Sequence, residues 1–100
     1  MNRLLAAMAV ILLLTAAPAA ADREADRLYE EAVRRHDDSD PMTRFARYAR
    51  AAEAGHPAAQ YNVAMMYSNG EAVNVDYQQA VYWFRKSADQ RFAPAQHRLG

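Results

Sequence analysis

Residues 52–64 read AEAGHPAAQYNVA, and residues 88–100, which begin 36 positions later, read ADQRFAPAQHRLG. Both copies open on an alanine and an acidic residue and carry an alanine–glutamine pair in the middle, so that Gln60 is matched by Gln96. A repeat length of about 20 to 50 residues is typical of helical solenoids, in which each unit buries its apolar face against its neighbours. The repeat therefore predicts a stack of helix pairs.

Apolar residues spaced three or four positions apart predict helices along residues 22–100. Residues that favour the ends of helices separate these segments. They are Asp40–Pro41, Gly55, Pro57, Asn69–Gly70, Asp76 with Gln79 as a capping-box-like pair, and Phe92–Ala93–Pro94. No segment of appreciable length alternates between apolar and polar residues as a strand does. The expected fold is all-α, an α/α solenoid of antiparallel helix pairs.

Each expected helix has one apolar face that should be buried, and the charged residues on the other faces should be solvated. The residues expected inside are Ala25, Leu28, Tyr29, Ala32 and Val33 in the first helix, Phe45, Tyr48, Ala49 and Ala52 in the second, Ala59, Val63, Ala64 and Tyr67 in the third, and Ala80, Trp83, Phe84, Ser87 and Ala88 in the fourth. The alanines would let paired helices approach closely, and the aromatic rings would fill the space between pairs.

Residues 1–21 have the three-part form of a secretory signal peptide. A positive start is followed by the 11-residue apolar run Leu4–Leu14 and by small residues before Asp22. We expect cleavage before Asp22, with cleavage after Ala19 as the nearest alternative. An uncleaved anchor is also open, although a membrane-spanning helix needs about 20 apolar residues. The interpretation is export to the periplasm of a bacterium or beyond it, with no stable membrane span after cleavage.

Charge and cysteine content exclude several classes of protein. The 12 basic and 12 acidic residues balance, whereas a nucleic-acid-binding protein normally has a basic excess. Without cysteine there can be no disulfide framework, no zinc–thiolate site and no cysteine nucleophile. The chain is 52% hydrophobic and 24% charged, which indicates a globular rather than a disordered protein.

One cluster could hold a divalent cation, since His36, Asp37, Asp38 and Asp40 lie close together in the sequence. The favoured interpretation is a polar loop between helices, in which Asp40 caps the second helix. The spacing does not fit an EF-hand loop, which requires a glycine that is missing here. We therefore expect no metal site.

The remaining polar residues suggest no catalysis. His56 and His97 are expected to face solvent near the starts of successive helices, and Ser87 is expected to be a small packing residue. No serine has the surroundings of an activated nucleophile, no carboxylate pair is set in an apolar frame, and no glycine-rich phosphate loop is present. We expect no catalytic residue and no cofactor.

Residues 52–100 resemble the Sel-one-like repeats, a family of helical repeats related to tetratricopeptide repeats. The matching residues are Ala52–Gly55, Ala59–Ala64, Tyr67, Gly70, Val73, Asp76, Ala80, Trp83–Phe84, Ser87–Ala88, Ala95–Gln96 and Leu99–Gly100. Beyond the predicted signal peptide at 1–21, the resemblance divides the chain into a divergent first repeat at 22–55, a complete repeat at 56–91 and the start of a further repeat at 92–100. We expect the array to continue in a longer protein.

The chain departs from the family at three glycine positions, which are occupied by Ala64, Ala72 and Arg91. Ala64 should widen the spacing between helices. Arg91 should make a left-handed helix cap costly, so the turn into the fifth helix is expected to be looser than in the family.

The resemblance implies a non-enzymatic adaptor that binds another protein or a peptide segment. In such solenoids the first helix of each repeat lines the concave surface. The candidate binding residues on that surface are Tyr61, Asn62, Met65, Asn69, His97 and Arg98. They could equally be ordinary exposed residues. The alternative function is a cell-envelope enzyme, or an accessory to one, that acts on peptidoglycan or β-lactam-like substrates.

Overall fold

A computed structural model describes residues 20–37 and 40–99, and within these residues it contains helices and no strand. Residues 20–34 are helical and form α1. Four helices follow, namely α2 (Pro41–Glu53), α3 (Pro57–Asn69), α4 (Tyr77–Asp89) and α5 (Ala93–Leu99). The predicted all-α fold is confirmed. The predicted signal peptide lies almost wholly outside the described residues, and its cleavage stays a prediction.

Two aspartates cap helices as predicted. The side chain of Asp40 accepts a hydrogen bond of 3.0 Å from the backbone N–H of Thr43, and that bond helps to lower the pKa of Asp40. Asp76 accepts the equivalent 3.0 Å bond from the N–H of Gln79. A capping box would also have the side chain of Gln79 accept a hydrogen bond from the backbone N–H of Asp76. That part of the prediction is wrong, because this N–H donates to the carbonyl oxygen of Tyr67 instead.

The turn that enters α5 keeps the geometry of the turn that enters α3. Gly55 and Arg91 both have a positive φ, of 103° and 64° respectively. The N–H of Gly55 donates to the carbonyl of Ala52 at 3.0 Å, and the N–H of Arg91 donates to that of Ala88 at 2.8 Å. The expectation of a looser turn is therefore wrong: Arg91 adopts the left-handed conformation that its position requires. Ala72 does the same in the α3–α4 loop, with φ of 67°.

Replacing Arg91 with glycine should stabilise the protein. A left-handed conformation costs a non-glycine residue about 1–2 kcal/mol, and the larger entropy of glycine in the unfolded chain offsets part of the gain. We expect the free energy of unfolding to rise by about 0.5–1 kcal/mol in urea titrations followed by circular dichroism. The matched control is Arg85→Gly within α4, which should lower it by about 1 kcal/mol. A loss of stability in Arg91→Gly would contradict this account.

The core lies between successive helices, with α2 packed on α3, α3 on α4, and α4 on α5. The buried apolar residues are Ala25, Ala32, Tyr48, Ala51, Ala52, Ala59, Val63, Ala64, Met66, Ala80, Phe84 and Ala95. Most of the expected inward positions are thus buried or half-buried. Val33 is an error, since it is 47% exposed. It lies beyond the face of α1 that contacts the core, where Ala32 is buried and Leu28 and Tyr29 are partly buried.

Two buried polar side chains join the helices to one another. Ser87, which is fully buried, donates from its hydroxyl to the carbonyl oxygen of Pro57 at 2.7 Å. Gln60 is 4% exposed and donates from Nε2 to the carbonyl of Ala52 at 3.2 Å. Gln60 was expected only as a repeat position and Ser87 only as a packing residue. The hydrogen bonds by which both side chains bridge segments were not predicted.

Candidate functional site

A surface pocket lies where α2 and α3 meet the loops that follow α1 and α3. Its lining residues are His36, Arg44, Tyr48, Asn62, Met65, Met66 and Glu71, and its cavity volume is about 130 Å³. Pockets for drug-sized molecules usually measure about 300–1,000 Å³. This pocket therefore has room for a single amino-acid side chain rather than for a large substrate.

Arg44 fixes one side of the pocket. Its Nε donates to the carbonyl oxygen of His36 at 3.0 Å, and its Nη1 lies 3.5 Å from Oε1 of Glu71. The side chain of Arg44 is 19% exposed, whereas that of Glu71 is 49% exposed. Arg44 thus connects the loop after α1 to the loop after α3. The pair of opposite charges leaves this rim close to neutral.

His36 and Tyr48 form the second polar part of the pocket. The Nδ1 of His36 lies 3.0 Å from the hydroxyl of Tyr48, and the two rings meet edge to face with centroids 5.9 Å apart. Burial raises the pKa of Tyr48, so its phenol stays protonated at neutral pH. His36 was a candidate cation ligand, but it turns to Tyr48 while Asp40 caps α2.

No group of three or more potential metal-binding side chains occurs among residues 20–37 and 40–99. Asp38, a member of the candidate cation cluster, lies outside the described residues. The different contacts made by His36 and Asp40 favour the interpretation of this segment as a polar loop.

The wall contributed by α3 combines an amide with two methionines. Met66 is 4% exposed, and Asn62 and Met65 are half-buried. Within the described part of the chain, the Asn62 side-chain amide has no hydrogen-bond partner. An amide both donates and accepts hydrogen bonds. Asn62 therefore offers a hydrogen-bond donor and a hydrogen-bond acceptor at the edge of an apolar surface.

The structure brings together only Asn62 and Met65 of the six candidate binding residues. Tyr61 points to the other side of α3, where its ring contacts Phe84 and Phe92 at centroid distances of 5.6 and 5.7 Å. Asn69 is exposed at the end of α3, and His97 and Arg98 are exposed on α5. A role for these six residues in binding a partner stays a prediction.

Sequence reasoning missed five of the seven residues that line the pocket, namely His36, Arg44, Tyr48, Met66 and Glu71. His36 was singled out for a different chemistry, and Tyr48 was identified only as a core residue. Arg44 and Glu71 lie 27 positions apart, and the 36-residue repeat does not relate their positions. Only the packing of α2 on α3 brings them to the same rim.

The expectation that His56 faces solvent is wrong, although the same expectation for His97 is confirmed. The side chain of His56 is 15% exposed, and its Nδ1 accepts a hydrogen bond of 3.3 Å from the N–H of Ala59. Its ring stacks on Tyr29 with centroids 4.1 Å apart, and Nε2 lies 3.4 Å from Oδ1 of Asp26. The reason is tertiary, because α1 packs over the start of α3.

Acid should weaken the fold through His56. Burial lowers its pKa below the ordinary value of 6.5, and the carboxylates of Asp26 and Glu30 oppose that shift only in part. Protonation would also remove the lone pair that accepts the Ala59 N–H. The unfolded chain then binds the proton more readily than the folded chain. The free energy of unfolding should therefore fall as the pH drops through and below about 6.5.

Urea titrations at a series of pH values between about 7.5 and 5.5 measure this effect. In the variant His56→Asn the side chain can still cap α3 but does not titrate. We expect the variant to lose less stability than the wild-type chain over this interval. An equal loss in both proteins would contradict the role of His56.

No helix among the described residues is long and apolar enough to cross a membrane. This finding does not extend to residues 1–19, where the apolar run of the predicted signal peptide lies.

Comparisons with known proteins agree with the repeat pattern. The sequence model of the Sel1 repeat family matches residues 57–92, which contain α3 and α4. Among solved structures, the Sel1 repeat protein from Oxalobacter formigenes matches with a TM-score of 0.56 and 33% sequence identity. The match covers 57% of this chain and 24% of the Oxalobacter chain. No curated protein matches the sequence significantly.

A Sel1 repeat indicates a helical module for protein–protein interaction. The family match begins at the proline that opens α3, and it ends just before α5. Residues 57–92 therefore match a Sel1 repeat, and the described part of the chain is all-helical and resembles a Sel1 repeat protein.

Proposed function

We propose that this protein is an exported, non-enzymatic scaffold that binds another protein through the surface around the pocket. The observation that carries the proposal is the match to a Sel1 repeat at residues 57–92, whose first helix supplies the side chains of Asn62 and Met65 to the pocket. The three-part form of residues 1–21 supports export.

The size and chemistry of the pocket support binding rather than catalysis. Its volume of about 130 Å³ is small for a substrate of the peptidoglycan or β-lactam type. Four of the polar side chains that line it contact one another in pairs, Arg44 with Glu71 and His36 with Tyr48. A general acid or base must be positioned to transfer a proton to a bound molecule. These four side chains are instead directed at one another.

Site-specific photo-cross-linking in cells tests the binding surface. A photoreactive amino acid would replace Asn62 in one variant and the exposed Arg34 of α1 in a matched control. We expect a discrete adduct with another protein from position 62 and none from position 34. Adducts of equal yield from both positions, or none from position 62, would contradict the proposed surface.

Fractionation and mass spectrometry test export. Recovery outside the cytoplasm with an N-terminus at Asp22, identified by mass spectrometry of the N-terminal peptide, would support both export and cleavage before Asp22. Recovery with residues 1–21 attached would contradict cleavage, and confinement to the cytoplasm would contradict export. Sustained hydrolysis of a β-lactam by the purified chain would overturn the non-enzymatic part of the proposal.

A further inference from the structure

We propose that the pocket between α2 and α3 recognises an extended peptide that inserts one neutral aliphatic side chain, of the size of leucine or methionine, beside Asn62. This inference rests on the proposed function, because it names the chemistry of the partner that the scaffold would bind. Three properties of the pocket carry it: its volume, its charge and the chemistry of α3.

The volume of the pocket selects the size of the inserted group. A cavity of about 150 Å³ in a protein core is large enough for benzene. The pocket here measures about 130 Å³ and is open to solvent at its rim. A side chain with four or five heavy atoms fits such a space, whereas alanine would leave most of it empty.

The paired charges at the rim of the pocket favour an inserted side chain that is neutral. Arg44 and Glu71 lie 3.5 Å apart, so each already has an opposite charge beside it. A charged side chain entering the pocket would have to compete with one member of this pair and would leave the other with less compensation. A neutral side chain avoids that cost and can pack on Met65 and Met66, whose flexible thioethers adapt to aliphatic groups.

The side-chain amide of Asn62 is complementary to the hydrogen-bonding groups of a peptide backbone. A peptide unit presents one N–H donor and one carbonyl acceptor, and the Asn62 amide offers the complementary acceptor and donor. Asn62 is half-buried at the edge of the pocket and has no hydrogen-bond partner among the described residues. An extended segment could therefore pair its backbone with Asn62 while its side chain enters the pocket beside Met65.

Nuclear magnetic resonance with blocked tripeptides tests the inference. The probes are N-acetyl-Ala-Leu-Ala-amide, the same peptide with a central alanine, and the same peptide with a central glutamate. We expect the leucine peptide alone to shift the side-chain amide of Asn62 and the methyl groups of Met65 and Met66 in a saturable manner. Equal shifts with all three peptides, no saturable shift, or shifts confined to another surface would overturn the inference.

Substitutions on α3 and α4 provide the matched test. Asn62→Ala should weaken binding of the leucine peptide about 3- to 10-fold, as expected for the loss of one or two hydrogen bonds. Asn62→Asp keeps the shape but loses the donor, and it should also bind more weakly. Gln78→Ala on α4 removes a side-chain amide from an exposed position outside the pocket and should change binding less than twofold. Equal effects at positions 62 and 78 would overturn the role of Asn62.

The outcomes separate this inference from the function on which it rests. A protein adduct from position 62 in cells, together with no tripeptide binding, would retain the scaffold and reject the pocket chemistry. Tripeptide binding without a protein adduct from position 62 would retain the pocket chemistry and reject the proposed binding surface in cells.

Discussion

Replacing Phe84 with alanine should lower the free energy of unfolding by about 3–5 kcal/mol, the usual cost of removing a buried aromatic ring. Phe84 is 7% exposed and lies in a cluster with the buried residues Ala64, Ala80 and Ala95. Its ring also meets that of Tyr61 edge to face. None of these alanines can extend to fill the space that the ring leaves, so most of the cavity should remain.

Urea unfolding followed by circular dichroism measures this loss. Domains of this size have a total stability of about 5–15 kcal/mol, so Phe84→Ala could leave little folded protein. Phe84→Leu keeps part of the apolar volume and should give a smaller, measurable loss. The matched control is Tyr77→Ala, which removes an aromatic ring that is 67% exposed on the same helix and should change stability by less than about 0.5 kcal/mol. Similar losses for Phe84→Ala and Tyr77→Ala would contradict the packing described here.

Replacing Gln60 with alanine should cost about 2–3 kcal/mol, because it opens a cavity and removes a hydrogen-bond partner from buried groups. Gln60 donates to the carbonyl of Ala52, and its Oε1 accepts a hydrogen bond of 2.9 Å from Nε2 of Gln90. That nitrogen also donates to the carbonyl of Gly55 at 2.7 Å, which limits the loss on the α4 side. Gln60 thus ties the end of α2 to the segment after α4.

The repeat itself supplies the control for Gln60. Gln96 makes the equivalent bond, from Nε2 to the carbonyl of Ala88 at 3.3 Å, but it is exposed. Gln96→Ala should therefore cost less than about 0.5 kcal/mol. Gln60→Met fills the volume without the hydrogen bonds, so the difference between it and Gln60→Ala measures the cavity alone. If urea unfolding gave equal losses at positions 60 and 96, burial would not control the strength of this contact.

The correct predictions concern features that short stretches of sequence specify. Asp40 and Asp76 cap α2 and α4 because the bonds they accept come from residues only three positions away. Gly70 ends α3 because it reaches a left-handed φ of 69° without strain from a side chain. Such features follow from backbone geometry near one residue. They could therefore be predicted without knowledge of the rest of the fold.

The wrong predictions concern features that depend on how helices pack. Val33 continues the apolar pattern of α1, but the pattern alone does not say where the contact with the core ends. His56 and His97 both lie near the start of a helix, yet α1 covers His56 with the ring of Tyr29. Arg91 was expected to loosen its turn. The hydrogen bond from Phe92 to Ser87 instead closes the turn as the corresponding bond closes the turn at Gly55.

The candidate site was only partly predictable for the same reason. Asn62 and Met65 were identified because they lie on the face of α3 opposite its buried residues. Tyr61 was grouped with them, but it packs against Phe84 and Phe92. The partner of the Arg44 guanidinium is 27 residues away in the sequence, and no local pattern connects the two.

The sequence by itself determined the helices, most of their ends and the 36-residue repeat, because these depend on local backbone preferences and on the periodic spacing of apolar residues. Only the tertiary structure decided which polar groups meet, as with His36 and Tyr48 or Gln60 and Gln90. Hydrogen bonds and pockets require atoms to be positioned within a few tenths of an ångström of one another. The angles at which helices pack set those distances, and a repeat pattern leaves the angles free.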